Sequence, residues 1–412
     1  MSTYQSTYLT DFIVDQIRRA YLSLNGMPTP TKIDLHQSDR PEFGDYSTNI
    51  AMIEANKQGL NPRALAENLL QAMAKSLPME DFAKYEVAGP GFINLSLKPR
   101  RIQSALRSIL EDEDNYGRRP AIGDRTLQVE FVSSNPTGPL TVGHGRQAVL
   151  GDVLAMLSEW IGYKVEREYY YNDEGRQIDL LAESLWVRYR EQFGEAHDIP
   201  EDGYRGDYLI PLARQMKRNL RKHYSQFDQE ARTVFRKEAV HSMKQMITED
   251  LGKLGVSFNL WFSESDLHRA GEVGAALETL RDRDAVYEKD NAQWLRAESH
   301  GGAKDSVLIR SDGRPTYLMV DIAYHINKRD RGFDHVIDVQ GADHHAEQSC
   351  MKAAMRILGY EEQWLSYAVH QFVSLKEGGE TLKMSTRAGR FVTLRQLIDE
   401  LGKDIVLSLI HI

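Results

Sequence analysis

The chain has 412 residues, 41% of them apolar and 27% charged, with a formal net charge of −9. That length can bury a sizeable core in two or three domains, and the acidic balance excludes a global basic footprint, so any nucleic-acid binding has to use local patches. A single cysteine, Cys350, excludes an internal disulfide and any multi-cysteine zinc or iron–sulfur site.

The N-terminus, MSTYQSTYLTDFIVDQIRRA, lacks the basic start and unbroken apolar core of a signal peptide. No apolar run is long enough to span a bilayer, so a cytoplasmic protein without membrane contact is expected. Helical spacing of Phe12, Ile13, Ile17 and Tyr21 opens a first unit, residues 1–119. The polar, turn-rich HQSDRPEFGDYSTNIAM follows, and a second helix is predicted from Asn61-Pro62, proline suiting a first helical turn. YEVAGPGFINLSL reads as strand, Gly-Pro-Gly turn and strand, with Ile93, Leu95 and Leu97 alternating against Phe92, Asn94 and Ser96. EDEDNYGRRPAIGDR has the composition of a linker.

A second unit, residues 120–400, starts with the β-rich TLQVEFVSS. Its first helix carries Leu150, Val153, Leu154, Leu157 and Ile161 on one face, and YKVEREYYYND reads as the next strand. Strand, crossover helix and strand make the βαβ unit of a parallel sheet. The pattern returns with FDHVIDVQGADHH and a helix from Ala346 to Leu358, with Cys350 on its apolar side as a small core residue. Between these halves, about 177–300, lies a helical, charged insertion. It includes the basic run Arg214–Lys222, which charge alone leaves open as a solvated helix face or a contact to RNA phosphates. The predicted fold is α/β: a Rossmann-like nucleotide-binding catalytic domain with a helical insertion, preceded by a small α+β N-terminal domain.

Two stretches carry chemistry. In NPTGPLTVGHGRQAVLGD, His144 stands between Gly143 and Gly145 where a strand feeds a helix. Such a helix N-terminus favours an anion such as phosphate, glycine lets backbone approach it, and a histidine there can donate to a phosphoryl oxygen. The same residues also fit a tight turn with a capping histidine. In GETLKMSTRAGRFVTLRQLIDE, Lys383 lies in a glycine-flanked polar loop before an amphipathic helix, where it can neutralise a pyrophosphate or simply be a solvated charge. His344-His345 with Glu347 lacks the ligand spacing of a zinc helix, so packing or a nucleotide contact at His345 is the expected role.

Together, TVGH and the distant KMSTR resemble the two signature motifs of class I aminoacyl-tRNA synthetases. Within that class the wording is closest to arginyl-tRNA synthetases. The matching blocks are VEFVSSNPTGPLTVGHGRQAVLGD, REYYYNDEGRQI, TYLMVDIAYHINKRDRGFDHVIDVQGADHHAEQSCMKAAMRILGY and LKMSTRAGRFVTLRQLIDE, in that order. RPEFGDYSTNIAM with VAGPGFINLSL resembles that family's N-terminal tRNA-binding-type domain, in which Phe43 and Tyr46 would stack on a tRNA base or fill a small core.

The resemblance implies a two-step reaction. L-Arginine attacks the α-phosphate of ATP to give arginyl-adenylate, and the arginyl group then passes to the 2′-hydroxyl of the terminal adenosine of tRNA(Arg). It implies catalytic roles for His144, Thr141, Lys383 and Ser385, and ATP contacts from Gly143, His144, Gly341, Asp343, His345, Lys383 and Met384. Mg2+ would enter with the ATP, without protein-bound zinc. A guanidinium is a planar permanent cation and asks for carboxylates and other acceptors. The matching positions are Glu130, Ser133, Asn135, Tyr317 and Asp321, with Asp321 expected against the side chain.

Two departures stand out. Thr141 replaces the usual first histidine of the corner, keeping a donor but no imidazolium charge. The last residues, 401–412, read as the truncated start of a C-terminal helical anticodon-binding domain that is otherwise absent, which would expose apolar surface and weaken tRNA affinity. A monomer is expected. The alternatives are a catalytically impaired RNA-binding relative that retains the fold, and a free-standing adenylating enzyme; a cysteine-specific synthetase is excluded because its zinc needs thiolates this chain lacks.

Overall fold

The computed structural model describes residues 9–24, 32–38, 40–76, 81–371, 373, 376–377, 380–381 and 392–411. The chain divides into two compact units, residues 1–118 and 119–412.

The first unit contains α1 (Leu9–Ser23), β1 (His36–Gln37), β2 (Tyr46–Thr48), α2 (Ile50–Gln58), α3 (Pro62–Ser76), β3 (Phe82–Ala88), β4 (Phe92–Leu97) and α4 (Pro99–Asp112). Its sheet has the order β1-β2-β4-β3, with antiparallel pairing throughout. The period-two pattern of β4 sends Ile93, Leu95 and Leu97 into one core with Ile13, Ile17 and Tyr21 of α1 and Leu65, Leu69 and Met73 of α3. Tyr46 packs against that core, while Phe43 is exposed beneath the Arg40 guanidinium. The turn-rich stretch closes on a helix not expected from its polarity: α2 buries only Ile50, Ala51, Glu54 and Ala55.

The second unit contains β5 (Thr126–Glu130), α5 (Val142–Trp160), β6 (Lys164–Tyr171), α6 (Arg176–Glu191), α7 (Leu209–Leu220), α8 (Gln229–Leu254), β7 (Leu260–Ser263), α9 (Glu264–Ala270), α10 (Glu272–Asp282), β8 (Val286–Lys289), β9 (Ala292–Leu295), β10 (Ser306–Ile309), α11 (Tyr317–Asp330), β11 (His335–Gly341), α12 (His345–Ile357), β12 (Leu365–His370), α13 (Leu394–Leu401) and α14 (Lys403–His411). Five strands form one parallel sheet in the order β12-β11-β5-β6-β7. The strand order reverses between β5 and β11, and a parallel sheet opens its ligand crevice at the carboxyl ends of such a pair. Alternate residues of β11 reach different cores: Val336 packs with α11 and α12, and Val339 with α5 and α13. Cys350 of α12 is buried in the first of these. No helix among the described residues is long and apolar enough to cross a membrane.

Two sequence expectations change. The bulky stripe of α5 is buried only in part: Leu150, Val153 and Leu154 pack against a core, while Leu157 and Ile161 are about half exposed. The helix instead lays Ala148, Gly151, Ala155 and Ser158 inward, small residues that permit a close approach to the sheet. The expected insertion also contains β7, the outer strand of the parallel sheet, a four-residue strand too short to announce itself. Of the helices in that region, α6, α7 and α8 share a core of their own. The basic run is partly satisfied within the chain, with Lys217 donating to the Gln192 carbonyl and Lys222 paired to Glu195 at 2.9 Å.

Gly151 makes the tightest of these contacts, because a Cβ there would lie 2.1 Å from Cγ of the fully buried Phe131. Gly151→Ala is expected to destabilise the unit by about 1–3 kcal/mol through overpacking. A lower urea midpoint at constant m-value would register this, and an unchanged midpoint would show that Phe131 yields freely.

Candidate active site

The site begins where β5 ends. TLQVEFVSS stops being a strand at Glu130, and the chain turns through two non-glycine residues in the left-handed region, Val132 at φ 67° and Ser133 at φ 41°. Neighbouring side chains hold the bend. Ser133 Oγ donates to Glu130 Oε1 at 2.8 Å and accepts from the Tyr170 amide at 3.2 Å. The buried Tyr169 hydroxyl accepts from the Ser134 amide at 3.2 Å and lies 2.9 Å from the Ser134 carbonyl.

Two cavities flank the bend. The first, about 430 Å³, is lined by Glu130, Ser133, Asn135, Tyr317, Asp321 and Gly341, all named from sequence, and also by Tyr170, Glu264, Asp338 and Gln340. The second, about 360 Å³, is lined by Thr141, Gly143 and His144 together with Ser134, His370 and Val373. Val132, Ser133, Gln147, Gly341 and His344 line both, so the cavities share a wall.

The first cavity is rich in carboxylates. Lys328 Nζ lies 2.6 Å from Glu130 Oε2 and 2.8 Å from Asp338 Oδ1, and His325 Nε2 lies 2.9 Å from Asp338 Oδ2. Burial works against the charge of Asp338, yet Lys328 and His325 hold it well below the ordinary carboxylate range. Burial pushes Glu130 upward against the pull of Lys328. The Glu264 carboxylate accepts from the Tyr170 hydroxyl at 2.7 Å. Asp321 differs: its side chain accepts no hydrogen bond among the described residues, and burial pushes its pKa up to about 7. Asn135 Nδ2 donates to Gln177 Oε1 at 3.0 Å, and Tyr317, at the start of α11, is 66% exposed at the mouth.

The second cavity sits at the N-terminus of α5, where unpaired N–H groups and the helix dipole favour an anion. His144 Nδ1 accepts from the Thr141 amide at 3.1 Å, which leaves the ring proton on Nε2. Burial brings the imidazole pKa down to about 4, so the ring is neutral at physiological pH and acts as a donor. A Cβ on Gly143 would meet only Thr141 Oγ1, at 3.8 Å, leaving space for a ligand to pack against backbone. The corner is also tied to the far end of the chain. The Leu394 amide donates to the Leu140 carbonyl at 2.7 Å, and Thr141 forms a β-bridge with Thr393.

Lys383, Met384 and Ser385 lie outside the described residues, as does the side chain of Asp343. His345 is exposed and lines neither cavity; its neighbour His344 lines both, and the repeated histidine gave the sequence no means to choose. Gln147, one turn after Gly143, and Gln340, before Gly341, were also missed, although both flank residues already marked by motif. Among the described residues no cluster of three or more His, Cys, Asp or Glu is arranged to hold a metal ion.

A carboxylate-lined pocket beside a helix N-terminus suits a cationic substrate meeting a phosphate, and comparison with known proteins agrees. Residues 105–410 match the family of class I (R) tRNA synthetase catalytic domains, and residues 9–97 match the arginyl-tRNA synthetase N-terminal domain. An arginine–tRNA ligase of Thermotoga maritima is 44% identical over 89% of this chain and 66% of its own length. One of Shouchella clausii is 41% identical over 94% of this chain and 70% of its own. The chain thus spans about two thirds of the length of these relatives. The Thermus thermophilus arginyl-tRNA synthetase structure, 23% identical, shares the fold with a TM-score of 0.69 over 95% of this chain and 69% of its own. Sheet topology, the paired cavities and both family matches lead to one conclusion: the chain belongs to the class I arginyl-tRNA synthetase family.

Proposed function

We propose that the chain is an arginine–tRNA ligase, activating L-arginine with ATP and transferring it to the 3′-terminal adenosine of tRNA(Arg). The observation that carries this reading is the shared wall between one cavity at the N-terminus of α5 and another holding Asp321, whose carboxylate has no hydrogen-bond donor among the described residues. A guanidinium in the first and a triphosphate in the second would bring the arginine carboxylate to the α-phosphorus across Val132 and Ser133.

In the first step a carboxylate oxygen of arginine attacks the α-phosphorus, and the bond to the bridging oxygen of pyrophosphate breaks. His144 Nε2–H and the α5 N–H groups would stabilise the charge that develops on the phosphoryl oxygens. Thr141 positions His144 through its amide, and Gly143 and Gly341 admit the nucleotide. Lys383, with Ser385 and Met384, would hold the pyrophosphate, and Asp343 with His344 the ribose side. Magnesium enters as part of the Mg·ATP substrate. Asp321 would accept from the guanidinium, with Glu130, Ser133, Asn135 and Tyr317 on the walls. In the second step the tRNA 2′-hydroxyl attacks the arginyl carbonyl and AMP leaves. The proposed acting form is a monomer in the cytoplasm.

ATP–pyrophosphate exchange with each amino acid, with and without tRNA, tests the reading. Exchange selective for arginine supports it; exchange driven by another amino acid, or by none under either condition, overturns it.

A further inference from the structure

The helix α11 turns a stripe of side chains, Tyr317, Asp321, His325 and Lys328, toward the ends of β5 and β11. Tyr317 and Asp321 reach the first cavity. The other two lie behind it, and Lys328 is fully buried, beyond reach of any substrate.

What they meet is an electrostatic problem set by the sheet. Glu130 and Asp338 are register partners on the adjacent parallel strands β5 and β11, so two carboxylates lie side by side on one face. Like charges in that position repel. Lys328 Nζ donates to both, at 2.6 and 2.8 Å, with its ammonium 4.4 Å from the ring centre of Tyr324. His325 faces an acceptor at each ring nitrogen, the Asp321 carbonyl 2.7 Å from Nδ1 and Asp338 Oδ2 2.9 Å from Nε2. The two carboxylates are thereby held by the Lys328 ammonium and the His325 ring. The remaining oxygen of Glu130 accepts from Ser133, so that carboxylate is held by partners on both sides. Asp321 is the acid left over, facing the cavity without a hydrogen-bond donor among the described residues.

We propose that Lys328 is a positioning residue for arginine recognition. By clamping Glu130 to Asp338 it fixes the cavity wall and leaves Asp321, the lining carboxylate without a donor among the described residues, to meet one guanidinium. This rests on the reading of the first cavity as the arginine pocket.

Kinetics of ATP–pyrophosphate exchange separate this role from a merely structural one. Lys328→Met is expected to raise KM for arginine about 10- to 100-fold, with KM for ATP within about twofold of wild type, since a buried charge set loses its partner beside one substrate only. Lys328→Arg keeps the charge and is expected to restore KM for arginine to within about threefold of wild type. An unchanged KM for arginine, or equal rises for both substrates, overturns the proposal. If Lys328→Met does not fold, the charge-balanced Lys328→Met/Asp338→Asn variant is expected to fold and show the same selective rise. Failure of both to fold assigns Lys328 to stability alone and overturns it as well. Wild-type protein lacking arginine-dependent exchange would instead overturn the functional reading itself, before any variant is made.

Discussion

His144→Ala is expected to slow arginyl-adenylate formation by about two to three orders of magnitude, the loss associated with removing one transition-state donor. The geometry explains why one side chain carries so much. Nδ1 is occupied by the Thr141 amide, so the ring cannot turn without breaking that bond, and the only free polar position is Nε2–H. Burial keeps the ring neutral with a pKa of about 4, so the donor is present throughout the neutral range and its contribution should not vary there with pH. Thr141 at the usual first-histidine position supplies no second imidazole to share the work. Single-turnover adenylate formation at saturating arginine and ATP reads the effect, with the unfolding midpoint as a control for the lost contact to Thr141. A fall of less than about tenfold would falsify the assigned role.

Asp321→Asn should lower kcat/KM for arginine by about two orders of magnitude, because a buried charge-assisted bond to the guanidinium is lost. The pH dependence supplies a second signature. Burial, together with Glu130 and Asp338, lifts Asp321 to a pKa of about 7 despite the opposing pull of His325 and Lys328. A cation requires the ionised acid, so kcat/KM for arginine should decline as pH drops through about 7. Once bound, the guanidinium pulls the pKa back down, and arginine binding near neutrality releases a proton. Calorimetric titration in buffers of different ionisation enthalpy should show that release in wild type and not in Asp321→Asn; identical enthalpies in wild type would sink the idea. The stability sign follows the same shift. A carboxyl raised above its unfolded value of about 4 contributes stability fully below that pH and loses it as pH rises through the folded value.

Much of the catalytic unit is legible in the residues because local signals agree with the global fold. β5, α5 and β6 are announced by β-rich runs around an amphipathic helix, and β11 with α12 repeats the theme. What escapes has physical causes. Periodicity finds a helix but not which face approaches a sheet closely, so the small stripe at Gly151 lost to the bulky one at Leu157. β7 is four residues inside a charged, helical region. Val132 and Ser133 carry no glycine or asparagine to flag a positive φ, so the β-rich run extends four residues beyond the strand. In the site, the family resemblance singles out Thr141, Gly143 and His144, which line one cavity, and Glu130, Ser133, Asn135, Tyr317 and Asp321, which line the next. Lys328 could not be found this way. In INKRDRG it reads as one more solvated charge, and only the pairing of β11 with β5 supplies the two acids that draw it inside.

The left-handed bend at Val132 and Ser133 has an evolutionary corollary. Each such non-glycine conformation disfavours the native fold by about 1–3 kcal/mol, most severely for a branched side chain. Val132 is also buried in the core beside α5, so glycine there would relax the bend only by giving up that packing and loosening the wall between the two cavities. Relatives selected for heat tolerance should therefore retain the awkward valine and gain their thermal margin elsewhere.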